Sequence, residues 1–429
     1  MQNIKIIAIS DIHFGVVPSS LGEGRFLEKY SSKKYSLQMQ ALDNVTQFVL
    51  DNNVDAVFIA GDILDSDSAY FEGFSALSKF LETINKNNVK VFAVSGNHDA
   101  NLLKKLSLKD DNFILLGQNG LWEQEIFDLR DNKQISISAK SFISSHQTES
   151  HLASYKAKNK PNDIPSVGLI HADLGAANSD YAPSVVSEFD KTNEDIWICG
   201  HIHASKYYDG NKKLLIPGSL QGLDPSEKGL HGGYLIECEG SNIKNVKLIP
   251  FANAYYDEII IDVNKESLFE ESITNGLKKI GSQYKKEALQ DSILSLRLTI
   301  SVPYKLYKNI KALIDDMPDR YPINFGNIIV EKISLRSDYS KDLETLSKRK
   351  DPLGILANYL QVLETKTPID KYNEYIQKSS KSIFKDLNQS SLSLLSPISD
   401  DEEKIRESLL KGGEVLMSKF IEELGLSND

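Results

Sequence analysis

Five of the eight histidines in this 429-residue chain fall at strand-to-loop junctions beside carboxylates or glycines. In order the fragments read DIH (Asp11, His13), GDILD (Asp62, Asp65), GNHD (Asn97, His98, Asp99), His171 closing SVGLIH, and GHIH (His201, His203). Singly each is weak, because a histidine at a strand end is more often a satisfied structural residue and Gly-Asp after a strand is a common turn. Five in order, each just past a strand-like run, point to one site, since the carboxyl edge of an open α/β sheet is where ligands bind.

Carboxylate, imidazole and amide oxygen together suit a divalent metal of intermediate hardness, and the lack of cysteine among them argues against a thiolate zinc site. The donors suffice for two ions. A one-residue gap in an extended segment returns side chains to one face, so Asp11 with His13, and His201 with His203, can enter one cleft. Gly61, Gly96 and Gly200 precede the donors, where a strand must turn sharply and let backbone approach the metals.

The elements that must carry these residues are legible as periodic runs. IKIIAIS (4–10), VDAVFIA (54–60) and VKVFAVS (89–95) alternate with helical patterns over 36–52 and 74–87, a βαβαβ opening. Runs apolar on both faces predict buried strands covered by helices. Further strands are expected at 113–117, 134–139, 166–171, 195–200, 213–218, 232–238 and 246–251, many spaced like hairpins. The expected fold is a two-sheet α/β sandwich, parallel early and antiparallel late, over residues 1–254.

A small α/β cap domain is expected over 255–340, with strands at 292–301 and 327–337, each preceded by a helical stretch. Residues 341–429 read as a linker and helical tail, the polar stretch 337–352 being the linker. Asp351-Pro352 and Thr367-Pro368 are helix starts, and Ser399 with Glu402 has capping-box spacing. In the last helix Ile405, Leu409, Leu416, Phe420 and Leu424 form a stripe that packs on the tail or docks on a partner.

Composition bounds the rest. Hydrophobic residues at 41% and charged at 25% place the chain among ordinary globular proteins. Two cysteines, Cys199 and Cys238, are too few for a disulfide framework and fit a reducing compartment. The N-terminus lacks the apolar core of a signal peptide, and no run approaches the roughly 18 apolar residues of a membrane span, so a cytoplasmic protein is expected. The net charge of −11 argues against gripping a polyanion by bulk electrostatics. A phosphate substrate would need local help from metal ions or a small basic patch.

The ordered set DxH, GDxxD, GNHD, lone His and GHxH resembles the hallmark of the calcineurin-like metallophosphoesterase superfamily. Within it, DIHFG, GNHDA, SDYAPSVVSEF (179–189), CGHIHASKYY (199–208) and IPGSLQGLDPSEKGLHGGYLIE (216–237) resemble the SbcD-type DNA-repair exonucleases, and among them the YhaO branch. The resemblance implies Asp11, His13 and His203 on one metal, Asn97, His171 and His201 on the other, and Asp62 between them. It implies two divalent ions, Mn²⁺ before Mg²⁺, that activate a water for in-line attack on a phosphoester. His98 is then the general acid and Asp65 orients it. Relatives carry a histidine at the Asp65 position, so the acid's setting departs here. The family also implies a DNA substrate, an SbcC-like coiled-coil ATPase partner and a homodimer.

The other histidines read as structural: His146 and His151 as solvent-facing, His231 as a loop residue. Ser10, Asp99 and Cys199 read as supports of the donors, and Lys348, Arg349 and Lys350 as a solvated run. Two functions remain open: a metal-dependent DNA nuclease, favoured by the long tail after the catalytic part, and a small-molecule phosphodiesterase for cyclic nucleotides or dinucleotide polyphosphates. A scaffold with a dead site would lack donors that are all present here.

Overall fold

Strands β1 (Asn3–Ile9), β2 (Ala56–Ala60) and β3 (Lys90–Val94) lie side by side and parallel, and their period of two sorts their side chains onto two faces. Ile7, Ile9, Val57, Ile59, Val91 and Ala93 face helices α1 (Leu37–Asp51) and α2 (Tyr70–Asn85), meeting Leu42, Val45, Val49, Leu77, Phe80 and Leu81. The alternate set, Ile6, Ala8, Phe58, Ala60, Phe92 and Val94, faces a second sheet. That is why both registers of these strands are apolar. Ser36 caps α1, its side chain accepting the Met39 N–H.

The computed structural model describes residues 2–16, 36–65, 70–100, 102–105, 112–159, 161, 163–175, 178–288, 292–315, 328–338, 343–388 and 402–423. After a short helix α3 (Leu102–Lys105), the first sheet adds β4 (Phe113–Leu115) on one side and β11 (Gly232–Glu239) and β12 (Asn242–Pro250) on the other, in the order β12-β11-β1-β2-β3-β4. The second runs β5-β6-β7-β8-β10-β9, from β5 (Glu123–Asp128), β6 (Gln134–Lys140), β7 (Ser166–His171), β8 (Ile196–Gly200), β9 (Lys206–Asp209) and β10 (Lys213–Ile216). Ile135, Ile137, Val167, Leu169, Ile196 and Ile198 supply its half of the core between the sheets.

The sandwich and the antiparallel pairing of the late strands β9, β11 and β12 are as expected, but parallel pairing extends further along the chain than expected. In the second sheet β6, β7, β8 and β10 are parallel, and only the edge strands β5 and β9 are antiparallel to their neighbours. The antiparallel pair β11 and β12 belongs to the first sheet, beside β1. Parallel neighbours need long crossovers. Here the crossovers between β6 and β7 and between β7 and β8 are irregular and short 3₁₀ segments, which have no helical period to betray them. The polar edge strands β5 and β9 lack an apolar run.

Contacts divide the chain into two compact units: Met1–Asp257 with Ile280–Leu296 and Asn324–Glu331, and Glu258–Lys279 with Arg297–Ile323 and Lys332–Asp429. A third sheet has the order β13-β14-β15, with β13 (Ala254–Asp262), β14 (Ile293–Val302) and β15 (Ile328–Ser337) separated by α4 (Phe269–Glu287) and α5 (Tyr307–Asp315). Within the stretch read as a linker, α6 (Leu343–Leu346) buries Leu343 and Leu346. Helices α7 (Pro352–Thr365), α8 (Ile369–Asn388) and α9 (Glu402–Glu423) follow. Asp351 caps α7, accepting the Gly354 N–H at 3.0 Å. On α9 the buried stripe is Ile405, Gly413 and Met417, with Phe420 packed beside it. Leu416 is 52% exposed, one position off that face, while Leu424 and Ser399 lie outside the described residues.

One buried charge fixes the base of the sandwich. Asp55, at the head of β2, accepts the Lys5 N–H at 2.9 Å, Arg130 Nε at 3.1 Å and Lys133 Nζ at 2.8 Å. Removing one partner of a buried pair strands the others, at roughly 3–5 kcal/mol. Asp55→Ala is therefore expected to lower the unfolding free energy by about 3 kcal/mol in denaturant titrations, and a loss under about 1 kcal/mol would show the pair to be idle.

Candidate metal centre

The donors converge from both sheets at the carboxyl ends of parallel strands. Asp11 and His13 follow β1, Asp62 and Asp65 follow β2, Asn97 and His98 follow β3, His171 ends β7, and His201 and His203 follow β8. The first two loops are laced together, with Asp11 N donating to the Gly61 carbonyl at 3.1 Å and His13 N to the Asp62 carbonyl at 3.0 Å. Asp11, His13 and Asp62 have φ of 49°, 49° and 51°, and His201 has 94°. Left-handed backbone is uncommon outside glycine and persists where the surroundings over-determine it. Four of the donors occupy such positions, which aims them where ordinary turns would not.

Gly200 and Gly96 are needed for close approach, though of protein groups. A Cβ on Gly200 would collide with the Ala60 carbonyl and crowd His171 Nδ1, and one on Gly96 would collide with the Asp62 carboxylate. Asp99, fully buried, accepts Gly96 N at 2.7 Å, Ile63 N at 2.7 Å and Leu64 N at 3.4 Å, so one carboxyl pins two donor loops. Burial, then the charge of Asp62, push its pKa up to about 7. Ser10 Oγ donates to the Gly218 carbonyl, and Cys199 lies buried behind the site with its thiol directed to the Ala172 carbonyl.

Three groups of donors lie close enough to share an ion: Asp11, His13 and His203; His13, Asp62 and His98; Asp62, His171 and His201. Asp62 Oδ2 stands 3.2 Å from His171 Nε2 and 3.8 Å from His13 Nε2, between the first and last groups. Asn97 Oδ1 lies 3.1 Å from both His171 Nε2 and His201 Nδ1. Asp11 and Asp62 are buried with His171, and Nε2 of His13 is buried with no hydrogen-bond partner. Two buried carboxylates and an orphaned imidazole nitrogen facing them fit a cation.

Ring nitrogens are sorted for that purpose. His171 Nδ1–H donates to the Ala60 carbonyl at 2.8 Å, His13 Nδ1 meets Asp65 Oδ1 at 3.3 Å, and His203 Nδ1 meets Glu227 Oε1 at 2.9 Å. In each case the outer nitrogen is committed and Nε2 is left for an ion. His98 Nδ1 also meets Asp65, its carboxylate at 3.2 Å and its carbonyl at 3.3 Å, but the His98 side chain is 42% exposed.

Without metal, burial works against protonating His171, but the adjoining Asp62 charge outweighs it and raises the pKa to about 9. Its unfolded value is about 6.5. That pairing stabilises the metal-free fold fully below about pH 6.5 and is lost as pH rises through about 9. A binding ion must displace the same proton. Metal binding near neutral pH is expected to release protons and tighten with pH, checked by calorimetry in buffers of different ionisation enthalpy. A heat independent of buffer would contradict it.

One residue was misjudged from sequence, and one was passed over. His146 is exposed as expected, but His151 is buried, edge-on to Phe142 at 5.2 Å, because Ser150 caps a short turn that points it inward. Burial and the Lys140 charge lower its pKa to about 3. His231 is also buried, bonded to Ser219 and to the Glu227 carbonyl. Glu227, which has no place in a periodic pattern, contacts His203. The hint was its position in the 216–237 stretch that resembles the SbcD-type enzymes, four residues before His231.

The sequence profile of calcineurin-like phosphoesterases matches residues 4–205. Over this stretch the chain is similar to a calcineurin-like phosphoesterase domain. This family of metal-dependent phosphoester hydrolases uses a dinuclear site, and the clustered donors of this domain are of the matching type. An uncharacterized metallophosphoesterase, YhaO of Bacillus subtilis, is 24% identical over 243 residues, 54% of this chain and 58% of that protein. The DNA double-strand break repair protein Mre11 of Archaeoglobus fulgidus is 24% identical over 52% of each chain, and that of Nanoarchaeum equitans 28% over 27% of this chain and 29% of its own. The chain thus spans at most about three-fifths of these relatives. A dimetal phosphatase from Danio rerio aligns with a TM-score of 0.34 at 12% identity, over 57% of this chain and 98% of that one. Among the described residues no helix is long and apolar enough to cross a membrane.

Proposed function

We propose that the domain is a Mn²⁺-dependent DNA nuclease. The observation that carries this reading is the likeness to two Mre11 proteins named for double-strand break repair, over 52% of this chain for one and 27% for the other. In this reading Asp11, His13 and His203 hold one ion, Asn97, His171 and His201 the other, and Asp62 both. When bound, such a pair supplies Lewis acidity and an activated water at neutral pH. His98 protonates the leaving oxygen, since its exposure places it at the open side of the donor cluster. Asp65 takes the His98 Nδ1–H at 3.2 Å, leaving Nε2 to the substrate. The same carboxylate steadies His13, so one residue aligns the acid with the metal donors.

An SbcC-like coiled-coil ATPase would supply the grip that a chain of net charge −11 lacks, and the protein would act as a homodimer in the cytoplasm. Ile355 on α7 and Val415 and Leu416 on α9 stay exposed, giving the helical part an apolar surface for such a partner. The deciding experiment offers the full chain, with Mn²⁺, linear duplex and single-stranded DNA beside cyclic mononucleotides. DNA degradation with cyclic nucleotides left intact is expected. Hydrolysis of cyclic nucleotides with DNA untouched would make the protein a small-molecule phosphodiesterase.

A further inference from the structure

The family profile ends at residue 205, two positions after His203, yet the groups that hold the His203 ring come from further along the chain. The geometry points to Glu227 as the residue that positions His203 and makes its Nε2 a competent metal donor. This rests on the reading of His203 as a metal ligand.

Glu227 uses both carboxylate oxygens. Oε1 accepts the His203 Nδ1–H at 2.9 Å, while Oε2 accepts Ser219 Oγ at 2.6 Å and Leu223 N at 3.3 Å. His231 braces the assembly from behind, with Nε2 donating to the Glu227 carbonyl at 3.1 Å and Nδ1 against Ser219 Oγ at 2.9 Å. The loop closes on the donor segment itself, because Ser219 N donates to the His203 carbonyl at 3.0 Å and Leu220 N to the Ser10 carbonyl at 3.2 Å. His203 Nε2 is left 4.0 Å from Asp11 Oδ1, on the side of His13.

The arrangement matters because His203 has no other anchor of this kind. Its side chain is 33% exposed, whereas His13 and His171 are buried, which restrains their rings in addition to the bonds on Nδ1. A partly exposed imidazole can present either nitrogen and swing between rotamers. A carboxylate on Nδ1 fixes the tautomer and the ring plane and raises the basicity of Nε2. Residues 219–231 thus support the donor set from beyond the stretch that the phosphoesterase profile matches.

The test is a double-mutant cycle read by Mn²⁺ calorimetry on the full chain, with wild type, Glu227→Ala, His203→Ala and the double variant. Wild type is expected to take up two Mn²⁺. Glu227→Ala is expected to weaken one binding step 10–100-fold and leave the other near its wild-type value. With His203 already alanine, Glu227→Ala should cost nothing further, because its effect passes through that ring. An equal loss in both backgrounds, or no loss in either, would overturn the role of Glu227 alone. A wild type that binds no Mn²⁺, or a His203→Ala protein that binds two as wild type does, would overturn the assignment of His203 and this inference with it. If metal-free melts show Glu227→Ala unfolded, Glu227→Gln, which keeps an acceptor but not the charge, replaces it under the same criteria with a smaller loss expected.

Discussion

Asp62→Asn is expected to take both metals and nearly all turnover with it. The carboxylate is 2% exposed and stands between two donor groups, within 3.2 Å of His171 Nε2 and 3.8 Å of His13 Nε2. Asparagine keeps the shape and can still accept the His98 N–H that Asp62 Oδ1 accepts at 3.0 Å, so the loop should hold. What disappears is a buried negative charge that both ions would share. Losing several kcal/mol of metal-derived stabilisation corresponds to a rate loss of roughly 10³-fold or more. Mn²⁺ calorimetry and hydrolysis of a phosphodiester read the two effects separately. A variant that still binds two Mn²⁺ at wild-type affinity would refute the central placement of Asp62.

His98→Ala should separate chemistry from binding. General acid catalysis contributes roughly 10²–10⁴-fold, and that factor is expected to vanish from DNA cleavage while both metals remain. The geometry supplies the rival outcome, because His98 also groups with His13 and Asp62 closely enough to share an ion. Loss of metal from the variant would make His98 a ligand and refute its role as acid. A second readout isolates proton donation: a nitrophenyl phosphodiester, whose leaving oxygen needs no proton, should be cleaved by the variant nearly as fast as by wild type.

The candidate donors were readable because each lies at or just past a strand end, where the apolar run gives way to Asp11, Asp62, Asn97, His171 or His201. The run itself announces the position. Asp99 and Ser10 were readable as supports from their place beside the donors, but Glu227 and the inward turn of His151 were not, because Glu227 reaches His203 across 24 positions and His151 turns inward from a polar segment through one serine cap. Neither is encoded by period or spacing. The parallel course of β6, β7, β8 and β10 was hidden for a related reason, their crossovers having irregular backbone in place of amphipathic helices. On the sandwich, β1 to β3 were legible since burial on both faces leaves an unbroken apolar string.

Asp11, His13, Asp62 and Asn97 hang from the first sheet, and His171, His201 and His203 from the second. Any ion gripped from both sides is therefore a rivet through the sandwich. Only the folded chain holds the two halves of the rivet hole in line, so occupancy adds to stability, by about 2.7 kcal/mol at a hundred times the dissociation constant. The converse also holds: loosening the layer of Phe58, Phe92, Ile137 and Leu169 between the sheets would be felt as weaker metal uptake, with no donor touched.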